Sequence, residues 1–143
     1  MKNFIVFTAL TVLVACIPKP QDNTGGQADT IDMSSVYSFC PRASDTPLPV
    51  SLDALVSDPS AFEGRTVETE GYFHSSFEHH AIYPAPKSNG QEFSTGLWVV
   101  APIDTPSGEL VRLTGTITVR SKGHLGQWPG TLCVTRIASV VAA

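Results

Sequence analysis

The chain contains two stretches in which apolar and polar residues alternate with the period of a β-strand. They cover residues 65–74 and 110–120, and Gly71 and Gly115 lie at matched positions within them. Such alternation predicts half-buried strands. Because a glycine weakens a strand unless a bend or close approach requires it, the glycines predict strands that coil around a small barrel. In the second stretch, five residues are expected to face water: Arg112, Thr114, Thr116, Thr118 and Arg120.

Shorter elements surround these two strands. Ser51 is suited to cap a short helix in which Leu52, Leu55 and Val56 share one face, and Asp58-Pro59 would end it. Residues 81–83 and 97–100 predict two short strands, and residues 131–141 predict the last one. Residues 102–108 carry two prolines and a glycine, so they predict a loop.

This order of elements resembles an OB-fold over about residues 52–141, which implies an all-β domain of small α content: an OB-fold-like five-stranded barrel with a short N-terminal helix. The chain is also similar to a group of uncharacterised exported bacterial proteins of OB-fold-like type. The motifs that carry this similarity are Phe62-x-Gly64-Arg65-x-Val67…Gly71, Phe77-Glu78…Ile82-Tyr83 and Gly123-His124-x-Gly126…Gly130. The resemblance implies a fold and an exported location, and it implies no catalytic or binding activity. In an OB-fold the helix usually lies between the third and fourth strands, whereas here it precedes the first.

The N-terminus predicts an export signal. A short positive region at Lys2 is followed by apolar residues 4–15, a run shorter than the roughly 20 residues that span a bilayer. Leu13-Val14-Ala15-Cys16 resembles the bacterial lipobox. The resemblance implies cleavage before Cys16, a diacylglyceryl group on the Cys16 sulfur and usually a further acyl chain such as palmitate on the new amino group. Two alternatives stay open: an ordinary secretory signal with an incidental cysteine, and a buried N-terminal strand.

The predicted organisation is therefore a signal peptide at 1–15, a lipidated flexible tether at 16–35 and one OB-fold-like domain at 36–143. The tether is rich in Pro, Gly, Asp and Asn and has almost no apolar content. Ile17 follows the cysteine, and no Asp stands there to resemble a retention signal. This favours the outer membrane, with the domain facing the periplasm.

The charge of the processed chain excludes one class of partner. It would carry eight Lys and Arg against thirteen Asp and Glu, or −5 with His neutral. Such an acidic chain lacks the positive surface that binds phosphate backbones, so we expect no nucleic-acid partner.

Two cysteines remain once Cys16 is assigned to lipid. In an oxidising compartment, the pair Cys40 and Cys133 predicts a disulfide that ties the start of the domain to its last strand. The alternative is two buried thiols too far apart to bridge.

A histidine-rich stretch offers the only candidate metal ligands: His74, Glu78, His79 and His80. Imidazole and carboxylate bind divalent metals. However, neighbouring residues on a strand point to opposite faces, and residues 75–80 are expected to form a solvated turn between strands. We therefore predict no metal and no cofactor.

Possible ligand contacts are the aromatic residues Tyr72 and Trp128, together with His124 in its glycine-rich turn. Trp98 lies in an apolar run and is expected in the core. Trp128 is either a ligand contact or a ring that packs over its own loop. His124 is either a ligand contact or a purely structural residue. Ser75 and Ser76 lack the glycine elbow of hydrolases, so we predict that the chain is not an enzyme.

These observations lead to two functional interpretations. The first is a lipid-anchored interaction module that holds an envelope protein near the membrane. The alternative is a periplasmic protein that binds a small ligand or a divalent metal through residues 74–80.

The lipid assignment gives the first testable prediction. Cys16→Ser should abolish labelling by a fatty-acid analogue and block lipoprotein-specific cleavage, because the lipid is carried by that sulfur. Cys40→Ser is the matched control and should still be labelled. Continued acylation of the Cys16→Ser protein would contradict the assignment.

Overall fold

The computed structural model describes residues 32–44, 46–86, 92–101 and 107–140. The predicted signal peptide, the lipid site at Cys16 and most of the tether lie outside these ranges. The described part is mostly β-structure, with one α-helix. Its elements are β1 (Leu48–Pro49), α1 (Leu52–Ser57), β2 (Thr66–Ser76), β3 (His79–Tyr83), β4 (Leu97–Val100), β5 (Leu110–Thr118) and β6 (Thr131–Ser139).

The strands form one sheet that closes on itself. Its order is β1-β2-β3-β4-β6-β5, and pairing between β2 and β5 completes a ring of five strands. Seven residue pairs join β2 to β5, whereas two join β3 to β4 and three join β4 to β6. The ring is therefore not a regular barrel. It has the partly open form of an OB-like fold, which confirms the predicted fold class.

Helix α1 forms where its sequence predicts and closes one part of the ring. The Ser51 hydroxyl accepts a hydrogen bond from the Ala54 N–H at 3.3 Å, and Asp58 follows the helix. Leu52 and Leu55 are buried in the main core, and Val56 packs against its edge. Among the described residues, no helix is long and apolar enough to cross a membrane.

The two strand glycines lie where neighbouring groups leave no room for a side chain. A Cβ atom at Gly71 would lie 2.6 Å from Ile82 Cγ1 and 2.7 Å from Leu52 Cδ2. A Cβ atom at Gly115 would overlap the Cys133 carbonyl oxygen, and the register between β5 and β6 shifts at this point. Close approach of neighbouring groups thus explains Gly71, and close approach together with a β-bulge explains Gly115, as predicted.

One predicted pattern is wrong: Thr114, Thr116 and Thr118 do not face water but are buried. They are buried because segments distant in the sequence pack over them. The Thr116 hydroxyl donates to the Pro41 carbonyl at 3.0 Å, and the Thr118 hydroxyl donates to a Glu63 carboxylate oxygen at 3.1 Å. The other Glu63 oxygen accepts the Val119 N–H at 2.6 Å. Strand β5 ends at Thr118, two residues earlier than predicted.

The predicted Cys40–Cys133 disulfide is present. It joins residues 36–44, here called the N-terminal arm, to β6, and both cysteines are buried with Val100. The arm is also held by hydrogen bonds from Thr116 to Pro41 and from the Ser44 N–H to the Thr66 hydroxyl at 2.6 Å. These bonds bind the arm along the outer surface of the ring.

We expect Gly115→Val to lower the free energy of unfolding by about 3 kcal/mol or more, because the added side chain would meet a backbone carbonyl that cannot move away alone. Denaturant unfolding measures this loss. Ala138→Val places the same side chain at an exposed position of β6 and should change the free energy by less than about 0.5 kcal/mol. Equal effects of the two substitutions would contradict the crowding at Gly115.

We expect Cys40→Ala/Cys133→Ala to melt at a lower temperature with an unchanged β-sheet circular dichroism spectrum. The bridge closes a loop across a sequence separation of 93 residues, which corresponds to about 4 kcal/mol in the chain-entropy model. Thr116→Val removes one hydrogen bond to the arm and leaves the bridge intact, so it should lower the free energy of unfolding by only about 1 kcal/mol. Two titratable thiols in an oxidised, denatured wild-type domain that begins after Cys16 would contradict the bridge.

Candidate interaction surface

The histidine stretch forms a tight hairpin rather than the predicted longer turn. Strand β2 continues to Ser76 and β3 begins at His79, so only Phe77 and Glu78 connect them. Glu78 has a left-handed backbone with φ of 55°. His79 therefore lies in a strand and is buried, whereas sequence reasoning placed it in a solvated turn. The backbone pairing of Ser76 with His79 is what extends the strands.

His79 and His80 differ in their surroundings, as expected for neighbours on a strand. His79 Nε2 lies 2.8 Å from the Tyr83 hydroxyl oxygen, and its ring also lies against those of His74, Phe93 and Trp128. His80 is half-buried, and its Nδ1 lies 2.9 Å from the Ser75 hydroxyl oxygen.

The four candidate metal ligands do not converge. Glu78 reaches towards His124, and His79 is directed at Tyr83. Within the described ranges, no group of three or more His, Cys, Asp or Glu side chains is arranged to hold a metal ion. Nor does any described carboxylate form an ion pair with His80.

A group of buried and partly buried side chains covers the β3–β4 face of the ring. We call it the aromatic cluster; its members are His79, Ala81, Tyr83, Phe93, Trp98 and Trp128. The ring of Trp128 lies 4.6 Å from that of Phe93 and 4.7 Å from that of Trp98, and Trp128 is 2% exposed. The Trp128 ring is therefore packed inside the aromatic cluster.

Gly123 lets the aromatic cluster close. Its φ is 70°, and a Cβ atom there would lie 2.6 Å from Trp98 and 2.7 Å from Trp128. Burial raises the pKa of the Tyr83 hydroxyl, and the neighbouring Trp128 opposes this rise. The Trp128 indole N–H itself makes no hydrogen bond to any described residue. OB-folds commonly bind ligands on this face, but here the chain's own side chains fill it.

The hairpin and the loop that precedes β6 meet at one end of the molecule. His124 Nε2 lies 3.5 Å from Glu78 Oε2, which makes an ion pair when the imidazole is protonated. Leu125 has a left-handed backbone with φ of 55° and is followed by Gly126, whose φ is 69°. The predicted ligand contact His124 thus joins two turns. The third predicted contact, Tyr72, is half-buried in β2 opposite Tyr83.

Two apolar side chains that sequence reasoning missed project at this end. Phe77 is 91% exposed and Leu125 is 79% exposed. Each lies next to a member of the Glu78–His124 pair, so the two turn tips are neighbours. The sequence feature that could have identified them is a large apolar residue inside a short polar or glycine-rich turn. We call Phe77 and Leu125 the apolar tips.

Comparison with known proteins adds no family to this picture: no protein-family model matches the sequence, and a search of curated proteins finds no match.

Proposed function

We propose that the protein is a lipid-anchored interaction module of the bacterial cell envelope, without catalytic activity, that binds an envelope protein through its apolar tips. The Leu13–Cys16 pattern supports the anchor, and the absence of a retention signal at Ile17 supports an outer-membrane location facing the periplasm.

The exposure of Phe77 and Leu125 at one end of the ring is the observation that carries this proposal. Burying such a side chain in a partner is worth about 1.5–3 kcal/mol. Both lie at tight turns with left-handed residues, a conformation that non-glycine residues adopt at an energetic cost. Turns held in this way lose little entropy on binding, so a large part of the burial energy remains for affinity.

The aromatic cluster on the β3–β4 face also favours the apolar tips as the docking surface. An OB-like domain that binds by aromatic stacking needs exposed rings on that face, whereas Trp128 and Tyr83 are buried. The acidic charge of the processed chain opposes nucleic-acid binding in addition. The apolar tips are therefore the better candidate for contact with a protein.

We expect a photoreactive side chain at position 77 or 125 to crosslink one partner in intact cells, while the same group at the exposed Val36 position does not. Phe77→Ser/Leu125→Ser should reduce capture of that partner by about tenfold or more, because two buried anchors are lost. Crosslinking followed by pull-down from the intact envelope measures both effects.

The folded state of the double variant is checked by its melting temperature, which should not fall because both side chains are exposed. Val36→Ser serves as the control for a lost exposed apolar group. Undiminished capture by a folded Phe77→Ser/Leu125→Ser protein would exclude the apolar tips as the docking surface.

A further inference from the structure

An open cavity of about 700 Å³ lies where β1 and the start of α1 face β2. Pro49, Val50 and Ser51 form one wall, Pro84 forms another, and Glu68, Thr69 and Glu70 form the floor. Seven residues of extended β2 separate this floor from Phe77, which corresponds to about 20 Å. The cavity is thus distinct from the proposed docking surface.

The cavity lies over a gap in the sheet. Strand β1 pairs with residues 67–68 of β2, and β3 pairs with residues 72–76. Between these partners, residues 69–71 have a strand neighbour only on the β5 side. The Glu68 carbonyl accepts a hydrogen bond from the Val50 N–H at 3.0 Å, so the backbone groups of Glu68 face β1. Backbone groups two residues apart on a strand point to the same side, and the Glu70 N–H and carbonyl therefore face the gap.

The charges around the cavity favour a cation. Three carboxylates line it, and Arg112 is the cationic lining residue. Arg112 pairs with Glu70, and Arg136 pairs with Glu68 at 3.3 Å. Asp53 forms no salt bridge within the described ranges, which leaves one carboxylate beside the gap for a positive group.

We propose that this cavity binds a short extended peptide that carries a lysine or arginine side chain. The peptide main chain bonds to the Glu70 N–H and carbonyl, as a strand added to a sheet edge does. Its basic side chain pairs with Asp53. The proposal does not depend on the apolar tips, because it concerns a different surface.

Titration of the isotope-labelled, purified full chain with acetyl-Ala-Lys-Ala-amide tests this site by nuclear magnetic resonance. The Glu70 amide should shift and saturate, and acetyl-Ala-Glu-Ala-amide should bind more weakly. Asp53→Asn should weaken binding of the lysine peptide by about two- to fivefold, as expected for an exposed ion pair. Glu109→Gln removes the same charge from an exposed residue that does not line the cavity and should leave the affinity unchanged.

A further measurement separates binding of the peptide from binding of its cation alone. Butylamine, which supplies the cation without a peptide main chain, should leave the Glu70 amide unshifted. No saturable shift at millimolar peptide, equal effects of Asp53→Asn and Glu109→Gln, or an equal response to butylamine would each overturn the proposal.

Discussion

The antiparallel pairing of β2 with β5 is the interaction on which the rest of the structure depends. It converts a sheet with two edges into a ring, and it places the long strands side by side around the main core. The pairing requires strong curvature. Gly71 and Gly115 permit it, because a side chain at either position would meet Leu52, Ile82 or the backbone of β6.

Closure of the ring leaves an outer surface that the chain covers in two places. The N-terminal arm lies across β2, β5 and β6, where the Thr66 and Thr116 hydroxyls and the disulfide to Cys133 hold it. The aromatic cluster covers β3 and β4, where Gly123 allows the Trp98 and Trp128 rings to meet. The aromatic cluster covers the face that an OB-fold commonly uses for ligands. The two surfaces that we propose for recognition are the turn ends and the unpaired part of β2.

These two remaining surfaces have different physical characters. The apolar tips offer hydrophobic anchors on short turns, and the cavity offers main-chain hydrogen-bonding groups beside a carboxylate. A single ligand in contact with both surfaces would gain overall affinity through the high effective concentration at the second site.

The sequence by itself determined the local elements and the features that depend on covalent chemistry. The capped helix, the alternating strands, the two glycines and the pairing of Cys40 with Cys133 all followed from residue type and spacing, and the export signal remains a prediction from the same source. Tertiary structure alone decided which polar residues are buried. The β5 threonines and His79 look solvated in a local pattern, but segments distant in sequence cover them. The exposure of Phe77 and Leu125 and the gap beside Glu70 were decided in the same way, since each depends on which distant segment packs there and on where that segment ends.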